Sequence, residues 1–278
     1  MRITYTLMLL ALCHFQAMGG AWPQPKSGGF FKLDQTFILA SNFFDANGKV
    51  VPVQELNQAT SSLYGEFGLS RRLTALAYLP FRVSNSVSAF AISQNGSPLD
   101  LQQRNTAFGD TDLGLKFGIL LDGPVVLSAR LHLGLPTGHA DHHLGLPTGD
   151  GEFNQLLGLE AGLSLGSGWL SGGLAFNQRS GGFSDEWRLN LELGWSLARQ
   201  RLLLVGKMMA LQSLENGTAP EGNFLFSNNQ SYVSPQLEIA WKPKKHLGIV
   251  YRLGTALDGS NIQAAPSHSL GAFLQIGH

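Results

Sequence analysis

The densest group of potential metal ligands in the sequence lies within HADHH: His139, Asp141, His142 and His143. Imidazole and carboxylate groups can bind Zn²⁺ or Cu²⁺. The run joins two copies of HLGLPTG, at residues 132–138 and 143–149, which a tandem duplication explains. Because no thiolate accompanies the histidines and no regular element fixes their spacing, we expect a hydrated polar loop there, with no metal ion and no other cofactor.

Ser128 and His132 come nearest to the nucleophile and base of a hydrolase. An extended strand places residues four apart on one face, but about 13 Å from each other at about 3.3 Å per residue. That distance is too long for His132 to take a proton from Ser128. We expect His132 beside Asp112 of a neighbouring strand, in a hydrogen bond, and we predict that the chain is not an enzyme.

Charged residues alternate with apolar residues in EWRLNLELGW, residues 186–195. Glu186, Arg188 and Glu192 occupy even positions, whereas Leu and Trp occupy all five odd positions. A period of two residues is typical of a β-strand with one polar and one apolar face. Twelve segments of this kind follow one another between residues 29 and 276, so the sequence predicts an all-β fold.

Alternation alone also fits a soluble β-sandwich, whose apolar face is buried. Three further features favour a membrane barrel. Most segments have about 9 to 11 residues, as a tilted membrane strand needs, and short turns such as 70–72 alternate with long loops. Aromatic residues also stand near segment ends, including Trp169, Trp195 and Trp241 beside short turns. Trp187 and Trp195 are separated by about 26 Å of strand, close to the apolar band of about 25 Å between two aromatic girdles.

The sequence therefore predicts a transmembrane, up-and-down antiparallel β-barrel of about twelve strands, with long extracellular loops and short periplasmic turns. The leucines should contact lipid and the charges should face the lumen, because a Lys or Arg on the lipid side costs about 2 to 4 kcal/mol at mid-depth. Counting from the turn at 198–200, Glu192 should face Lys207 across the eighth and ninth strands. Pro235 cannot donate a ladder hydrogen bond, so we expect a β-bulge there.

The candidate site is the set of charged and polar residues on the inner faces of these strands. They are Asp110, Asp112, Lys116, Arg130, His132, Glu160, Arg179, Arg188, Glu192, Lys207, Glu238 and Arg252. Opposite charges and many glycines suit a narrow lumen, where charge must be neutralised. Two functions fit this set: a conducting path, or a salt-bridged plug that holds a closed barrel together. Twelve strands lie between filled eight-stranded barrels and open porins of about 16 to 18 strands, so size does not decide between them.

The beginning of the chain has the pattern of a secretory signal peptide, because Arg2 precedes a short apolar run and the small residues AMGGA. We predict a signal peptide over residues 1–20 and one barrel domain over residues 21–278. Cys13 would leave with the signal. A lipoprotein is the alternative, although Leu12 stands where a small residue normally precedes the lipidated cysteine. Nineteen Lys plus Arg balance nineteen Asp plus Glu, which argues against a nucleic-acid partner.

Four stretches carry a family resemblance: AWPQPKSGGFFKLDQ (21–35), LYGEFGLSRRLTALAYLPF (63–81), GDTDLGLKFGIL (109–120) and ARLHLGLPTG (129–138). In these the chain resembles Gram-negative outer-membrane barrels of the MetA-pathway-of-phenol-degradation type and the related XagA proteins. The first likeness implies the passage of small aromatic or hydrophobic compounds, and the second implies an exopolysaccharide or adhesion role. No substrate-binding residue can be carried over.

The last strand, SLGAFLQI (269–276), resembles the recognition signal of outer-membrane barrels, which implies the barrel assembly machinery as a partner. We therefore expect a passive channel for a small solute in the Gram-negative outer membrane, in contact with outer-membrane lipid. The alternative is a structural, exopolysaccharide-linked or adhesion-linked barrel without conductance.

Overall fold

The computed structural model describes residues 20–88, 90–92, 98–100, 103–142, 145–220 and 225–277. Of the predicted signal peptide, residues 1–19 lie outside this part. Twelve long strands follow in order: β1 Gly29–Phe44, β2 Val50–Gly68, β3 Leu73–Val87, β4 Thr111–Leu120, β5 Val125–Leu135, β6 Asn154–Leu165, β7 Gly168–Arg179, β8 Glu186–Leu197, β9 Leu202–Ser213, β10 Ser231–Lys244, β11 Leu247–Gly254 and β12 Ser267–Ile276. Five short strands lie in the long connections: Phe90–Ile92, Pro98–Asp100, Gln103–Ala107, Asp258–Ser260 and Ile262–Gln263. Within the described residues, no helix has the length and apolarity to cross a membrane.

The twelve strands form a closed antiparallel ring. Each strand pairs with its neighbours in sequence, and β1 pairs with β12 from Gly29 opposite Ile276 to Ile38 opposite Ser267. Closure leaves no unpaired sheet edge, so backbone groups that face hydrocarbon find their hydrogen-bond partners inside the barrel wall. The prediction of an all-β, up-and-down barrel of about twelve strands is confirmed.

The two ends of the barrel differ in their connections. One end has the short turns 69–72, 121–124, 166–167, 198–201 and 245–246, and we name it the short-turn end. The other has most of the longer connections, including 88–110, 136–153 and 214–230, and we name it the long-loop end. Strand β3 extends beyond the ring at the long-loop end, where it pairs with Gln103–Ala107.

The apolar stripes face outward and the charges face inward. On β8, Leu189 and Leu191 are 40% and 49% exposed, whereas Glu186 and Glu192 are buried. A soluble sandwich would bury the leucines, so that alternative is wrong. Trp187 and Trp195 are both exposed on the outer face, one near each end of β8, as an aromatic girdle requires.

Trp169 does not belong to the girdle, contrary to the prediction. Its ring is 2% exposed and faces the lumen, where Nε1 donates a hydrogen bond to Glu192 Oε1 at 2.6 Å. Trp169 lies two residues before Ser171 on β7, and Ser171 is buried on the inner face, so the Trp169 side chain points to the same face. Gly194 lies directly opposite and leaves the space that the indole fills, since a Cβ there would lie 2.0 Å from the ring.

The predicted register of β8 against β9 is confirmed. Glu192 lies directly opposite Lys207, and their charged groups are 3.4 Å apart. The hairpin turn at 198–201 fixes this pairing, because a hairpin's register follows from its turn.

The predicted bulge at Pro235 is absent, because Pro235 pairs with Met208 of β9 in a continuous register. In an antiparallel strand the N and C=O of one residue point to the same side. Pro235 O accepts a hydrogen bond from Thr255 N at 3.2 Å, just beyond the end of β11. The proline nitrogen therefore points toward Thr255, just beyond the end of β11, so the missing donor falls where this ladder ends.

Candidate functional site: the lumen of the barrel

An apolar cluster fills part of the lumen at the short-turn end. Its buried members are Phe30, Trp169, Leu203, Val205, Ala240, Val250 and Phe273, with Trp22 and Tyr64 packed against them. Sequence reasoning missed this cluster because we assigned the inner face as polar throughout. A signal was present: in RLLLVGKMMA both faces of β9 are apolar, as expected where a strand contacts lipid outside and an apolar core inside.

The N-terminal segment, residues 20–28, lies inside the barrel above this cluster. Ala21 is fully buried, and its carbonyl accepts a hydrogen bond from Ser128 Oγ at 2.6 Å. Gly20 O accepts a hydrogen bond from Lys116 Nζ at 2.5 Å. The Trp22 ring lies over Gly162, where a Cβ would come within 2.5 Å of it.

Gln24 ties the same segment to β2 and β3. Its backbone N donates to Thr74 Oγ1 at 2.8 Å, and its side-chain Nε2 donates to Glu66 Oε2 at 2.9 Å. The segment thus contacts strands from β2 to β7 and crosses the lumen near the short-turn end. Its irregular backbone is tolerated in a membrane barrel because lumen side chains satisfy its polar groups.

Beside the N-terminal segment lies a buried group of four charges. Lys116 Nζ is 3.9 Å from Glu66 Oε1 and 3.6 Å from Glu160 Oε2, and Arg130 is 2.8 Å from Glu160 Oε1. Tyr64 also donates its hydroxyl hydrogen to Glu66. Two cations and two carboxylates balance, which limits the cost of burying charge here.

Across the lumen, two further ion-pair groups line the opposite wall. In the first, Asp34 lies 3.2 Å from Lys32 and 3.3 Å from Arg252. In the second, Lys207 bridges Glu192 at 3.4 Å and Glu238 at 3.3 Å. These residues come from β1, β8, β9, β10 and β11, so the pairs also join neighbouring strands.

In most of these pairs the cation reaches further into the open lumen than its carboxylate. Arg188 and Arg252 are 42% and 28% exposed, while their partners Glu186 and Asp34 are 3% and 5% exposed. The same order holds for Lys32–Asp34, Arg130–Glu160 and Lys207–Glu238. The Lys116–Glu160 and Arg179–Asp150 pairs show the reverse order. Within these ion pairs the cation is therefore the more accessible partner.

Arg179 is placed differently from the other cations. It lies at the last residue of β7 and forms ion pairs with Asp150, Glu152 and Glu186, the first and third at 3.1 and 2.7 Å. Its guanidinium carbon also lies 4.6 Å above the centre of the Phe183 ring, in a cation–π contact. Arg179 fastens loop 136–153 to the rim of the barrel and does not line an open path.

Asp110 also holds loop 136–153. It precedes β4, and its two carboxylate oxygens accept hydrogen bonds from Gly138 N and Asp150 N, both at 2.8 Å. Burial raises the pKa of the Asp110 carboxyl from its ordinary 3.8 to about 6, although the two backbone hydrogen bonds act in the opposite direction.

The duplicated LPTG stretches pack side by side in this loop. Thr137 Oγ1 donates to Gly109 O and Thr148 Oγ1 donates to Phe108 O, both at 2.7 Å. In the second copy, Leu146 is buried against Leu56 and Leu225. Apolar side chains therefore also pack together at the long-loop end.

Asp112 and His132 both lie on inner faces, but the predicted hydrogen bond between them is wrong. Asp112 pairs with Gly134 and His132 pairs with Gly114, so the two side chains are only diagonal neighbours. His132 Nε2 is buried without a hydrogen-bond partner. Ser128 donates its hydroxyl hydrogen to Ala21 O, so it is not paired with His132 as a nucleophile.

The histidine-rich loop brings no metal-ligand group together within the described part of the chain. His139 and Asp141 are exposed, and His143 lies outside the described residues.

Ion pairs thus line the lumen wall between the apolar cluster at the short-turn end and the loop contacts at the long-loop end. The family described as "Putative MetA-pathway of phenol degradation" matches residues 49–270. No curated protein sequence matches the chain.

Two of the solved structures that share this fold serve for comparison. An outer membrane channel from Pseudomonas putida F1 aligns with 94% of this chain and 100% of its own, at 13% identity and a TM-score of 0.65. The KdgM porin in complex with disordered oligogalacturonate aligns with 88% of this chain and 99% of its own, at 6% identity and a TM-score of 0.51. At these identities the likeness shows the fold of an outer-membrane barrel, and the family match shows that the chain belongs to the MetA-pathway-of-phenol-degradation family.

Proposed function

We propose that the chain forms a passive outer-membrane channel for small organic anions. The observation that carries this proposal is the unequal exposure within the lumen ion pairs. Arg188, Lys207 and Arg252 reach the open lumen, while Glu186, Glu192 and Asp34 lie behind them. Cationic side chains around a pore favour anions because they replace part of the ion's hydration.

The apolar parts of the lumen add a second preference. A permeating molecule meets Leu146 at one end and Trp22 with Phe30 at the other. Such a path suits a solute with a charged group and an apolar or aromatic body, for example an aromatic carboxylate. The family's description, which refers to phenol degradation, agrees with this chemical class.

The outer surface supports placement in the Gram-negative outer membrane. Its leucine stripes need hydrocarbon, so outer-membrane lipid is the surrounding partner, and β12 supplies the strand for the barrel assembly machinery. The proposal includes no enzymatic step, and it is supported by the hydroxyl of Ser128, which donates to Ala21 O and is not paired with His132.

A structural barrel without conductance is the second candidate, and the N-terminal segment favours it. That segment crosses the lumen and is fastened to Thr74 and Ser128 on separate strands. In this case the ion pairs would stabilise a closed barrel, and the long loops would contact a polysaccharide or a surface.

Planar bilayers containing the purified protein distinguish the two candidates. Under a salt gradient, the channel should give small stepwise currents with a reversal potential that indicates anion preference, and benzoate should reduce chloride current. The variant Arg188→Gln with Arg252→Gln should lose much of that preference, whereas Arg199→Gln, on a short turn, should not. A silent bilayer supports the structural barrel, and cation selectivity contradicts the proposal.

A further inference from the structure

A groove of about 510 Å³ lies on the outside of the barrel, near the long-loop end of β1, β2 and β3. Phe37 and Leu39 form its apolar part, and Arg82, Arg104, Glu55 and Gln58 are among its polar lining residues. This groove is separate from the lumen and plays no part in the path described above.

The groove's apolar part is continuous with the lipid-facing surface. Phe37 and Leu39 are 49% and 68% exposed and have the same strand parity as Leu33, which is also exposed on the outer face. Phe81, another exposed aromatic residue, immediately precedes Arg82 in β3. Exposed aromatic residues near strand ends mark the level of lipid headgroups, so Arg82 lies close to that level.

A register shift places Arg82 on the outer face. Leu63 pairs with Leu79, but the next outward residue of β2, Ser61, pairs with Arg82, so β3 has one extra residue here. Ser61 in turn pairs with Gln35 of β1 and donates a hydrogen bond to its Oε1 at 2.5 Å. The shift therefore ends the apolar stripe of β3 with a cation at the rim.

Arg104 is a second cation on the same side of the barrel, and it lies further from the short-turn end than Arg82. It pairs with Ser86 in the short strand Gln103–Ala107, and Ser86 also lines the groove. Arg82 and Arg104 are both exposed, and neither forms an ion pair with a described residue. Glu55 is the acid among the lining residues, so the lining carries two positive charges against one negative charge.

We propose that this groove binds the phosphorylated headgroup of an outer-leaflet glycolipid of the lipid A class. The guanidinium groups of Arg82 and Arg104 hold a phosphate, since a guanidinium can donate two parallel hydrogen bonds to phosphate oxygens. An acyl chain of the same lipid lies along Phe37 and Leu39. The proposal rests on outer-membrane placement, because the glycolipid occupies the outer leaflet there.

A lipid fits the groove better than a free anion does. Inorganic phosphate would use the two arginines and leave Phe37 and Leu39 without a partner. The position also favours a membrane component, because the groove opens sideways toward the bilayer and not into the lumen.

The test compares the wild-type barrel with the variant Arg82→Gln plus Arg104→Gln. Each protein is purified in detergent and delipidated, then mixed with bisphosphorylated lipid A, with dephosphorylated lipid A, or with inorganic phosphate. Bound molecules are counted by native mass spectrometry. The matched control is Arg71→Gln plus Arg199→Gln, which removes two exposed arginines from the short-turn end.

Wild type and control should retain phosphorylated lipid A, with at least about tenfold weaker binding by the groove variant, because two charge-assisted contacts are lost. Dephosphorylated lipid should bind weakly to all three proteins. Equal retention by the groove variant and wild type overturns the proposal, as does binding of inorganic phosphate that matches binding of lipid A.

Heat-modifiable gel migration of each variant verifies that the barrel is folded. Single-channel conductance, measured in parallel, should be the same in all three proteins. A silent bilayer with intact lipid retention contradicts the channel function alone, whereas normal currents with no lipid retention contradict the lipid site alone.

Discussion

Trp169 Nε1 donates a hydrogen bond to Glu192 Oε1 at 2.6 Å inside the barrel. The same carboxylate lies 3.4 Å from Lys207, so an indole from β7 and an ammonium from β9 hold one acid of β8. The apolar cluster and the charged wall of the lumen meet at this contact. A tryptophan near a strand end therefore has a structural role in the lumen and not in the lipid interface.

Replacing Trp169 by Phe should destabilise the barrel by about 1.5 to 3 kcal/mol, the usual worth of a hydrogen bond to a charged group. The phenyl ring keeps much of the packing, while Glu192 loses a donor. Urea unfolding in lipid vesicles measures the change in the free energy of unfolding. Trp195→Phe is the control, since Trp195 faces outward; equal effects of the two substitutions would contradict this role of Trp169.

Deleting residues 21–28 should raise single-channel conductance by at least about twofold, because the pore is widened where the N-terminal segment crosses it. Thr74 and Ser128 lose their backbone partners and become accessible to ions. Bilayer recordings of the deletion and the wild type measure the change. Unchanged conductance would mean that the restriction to flow lies elsewhere, for example at Leu146.

Replacing Gly162 by Ala should dislodge Trp22, because the new methyl group would lie 2.5 Å from the indole ring. Overpacking of this kind costs about 1 to 3 kcal/mol. Gly206→Ala is the matched control, because its Cβ would meet nothing within 4 Å. Tryptophan fluorescence and protease sensitivity of the N-terminal segment should change in the first variant only, and a rigid, protected segment in Gly162→Ala would refute the contact.

Much of the fold could be predicted from the sequence because a lipid environment imposes a strict rule on each strand. Alternation placed Leu189 and Leu191 outward, and the short turn at 198–201 was enough to align Glu192 with Lys207. Hydrocarbon penalises an outward charge strongly, so the outer face carries a clear pattern.

The interior obeys a weaker rule, and prediction was less complete there. Residues 20–28 have no periodicity, and their contacts with Thr74, Lys116 and Ser128 join parts of the chain that are distant in sequence. The inner apolar cluster was not predicted, because the interior of a filled barrel can contain either polar or apolar side chains as long as they pack. Trp169 could have been assigned to the lumen from its parity with Ser171 alone.

Loop 136–153 should be held more firmly as the pH falls. Burial raises the pKa of Asp110 to about 6 from 3.8 and also raises the pKa values of Asp150 and Glu152. A carboxyl group whose pKa is higher when the loop is packed against the barrel takes up a proton as the loop packs; we call this packed state the closed loop. The closed loop therefore gains stability as the pH falls from 7 through 6 toward 4, and it is least stable above pH 7.

Hydrogen exchange of residues 136–153, corrected for intrinsic rates, should thus show greater protection at pH 5 than at pH 7.5. Asp110→Asn mimics the protonated group at every pH, so it should remove a large part of this difference while Asp150 and Glu152 still titrate. Asp122→Asn is the control, because Asp122 lies in an exposed short turn at the other end of the barrel. Greater protection at pH 7.5, or an unchanged pH dependence in Asp110→Asn, would mean that Asp110 does not control the loop.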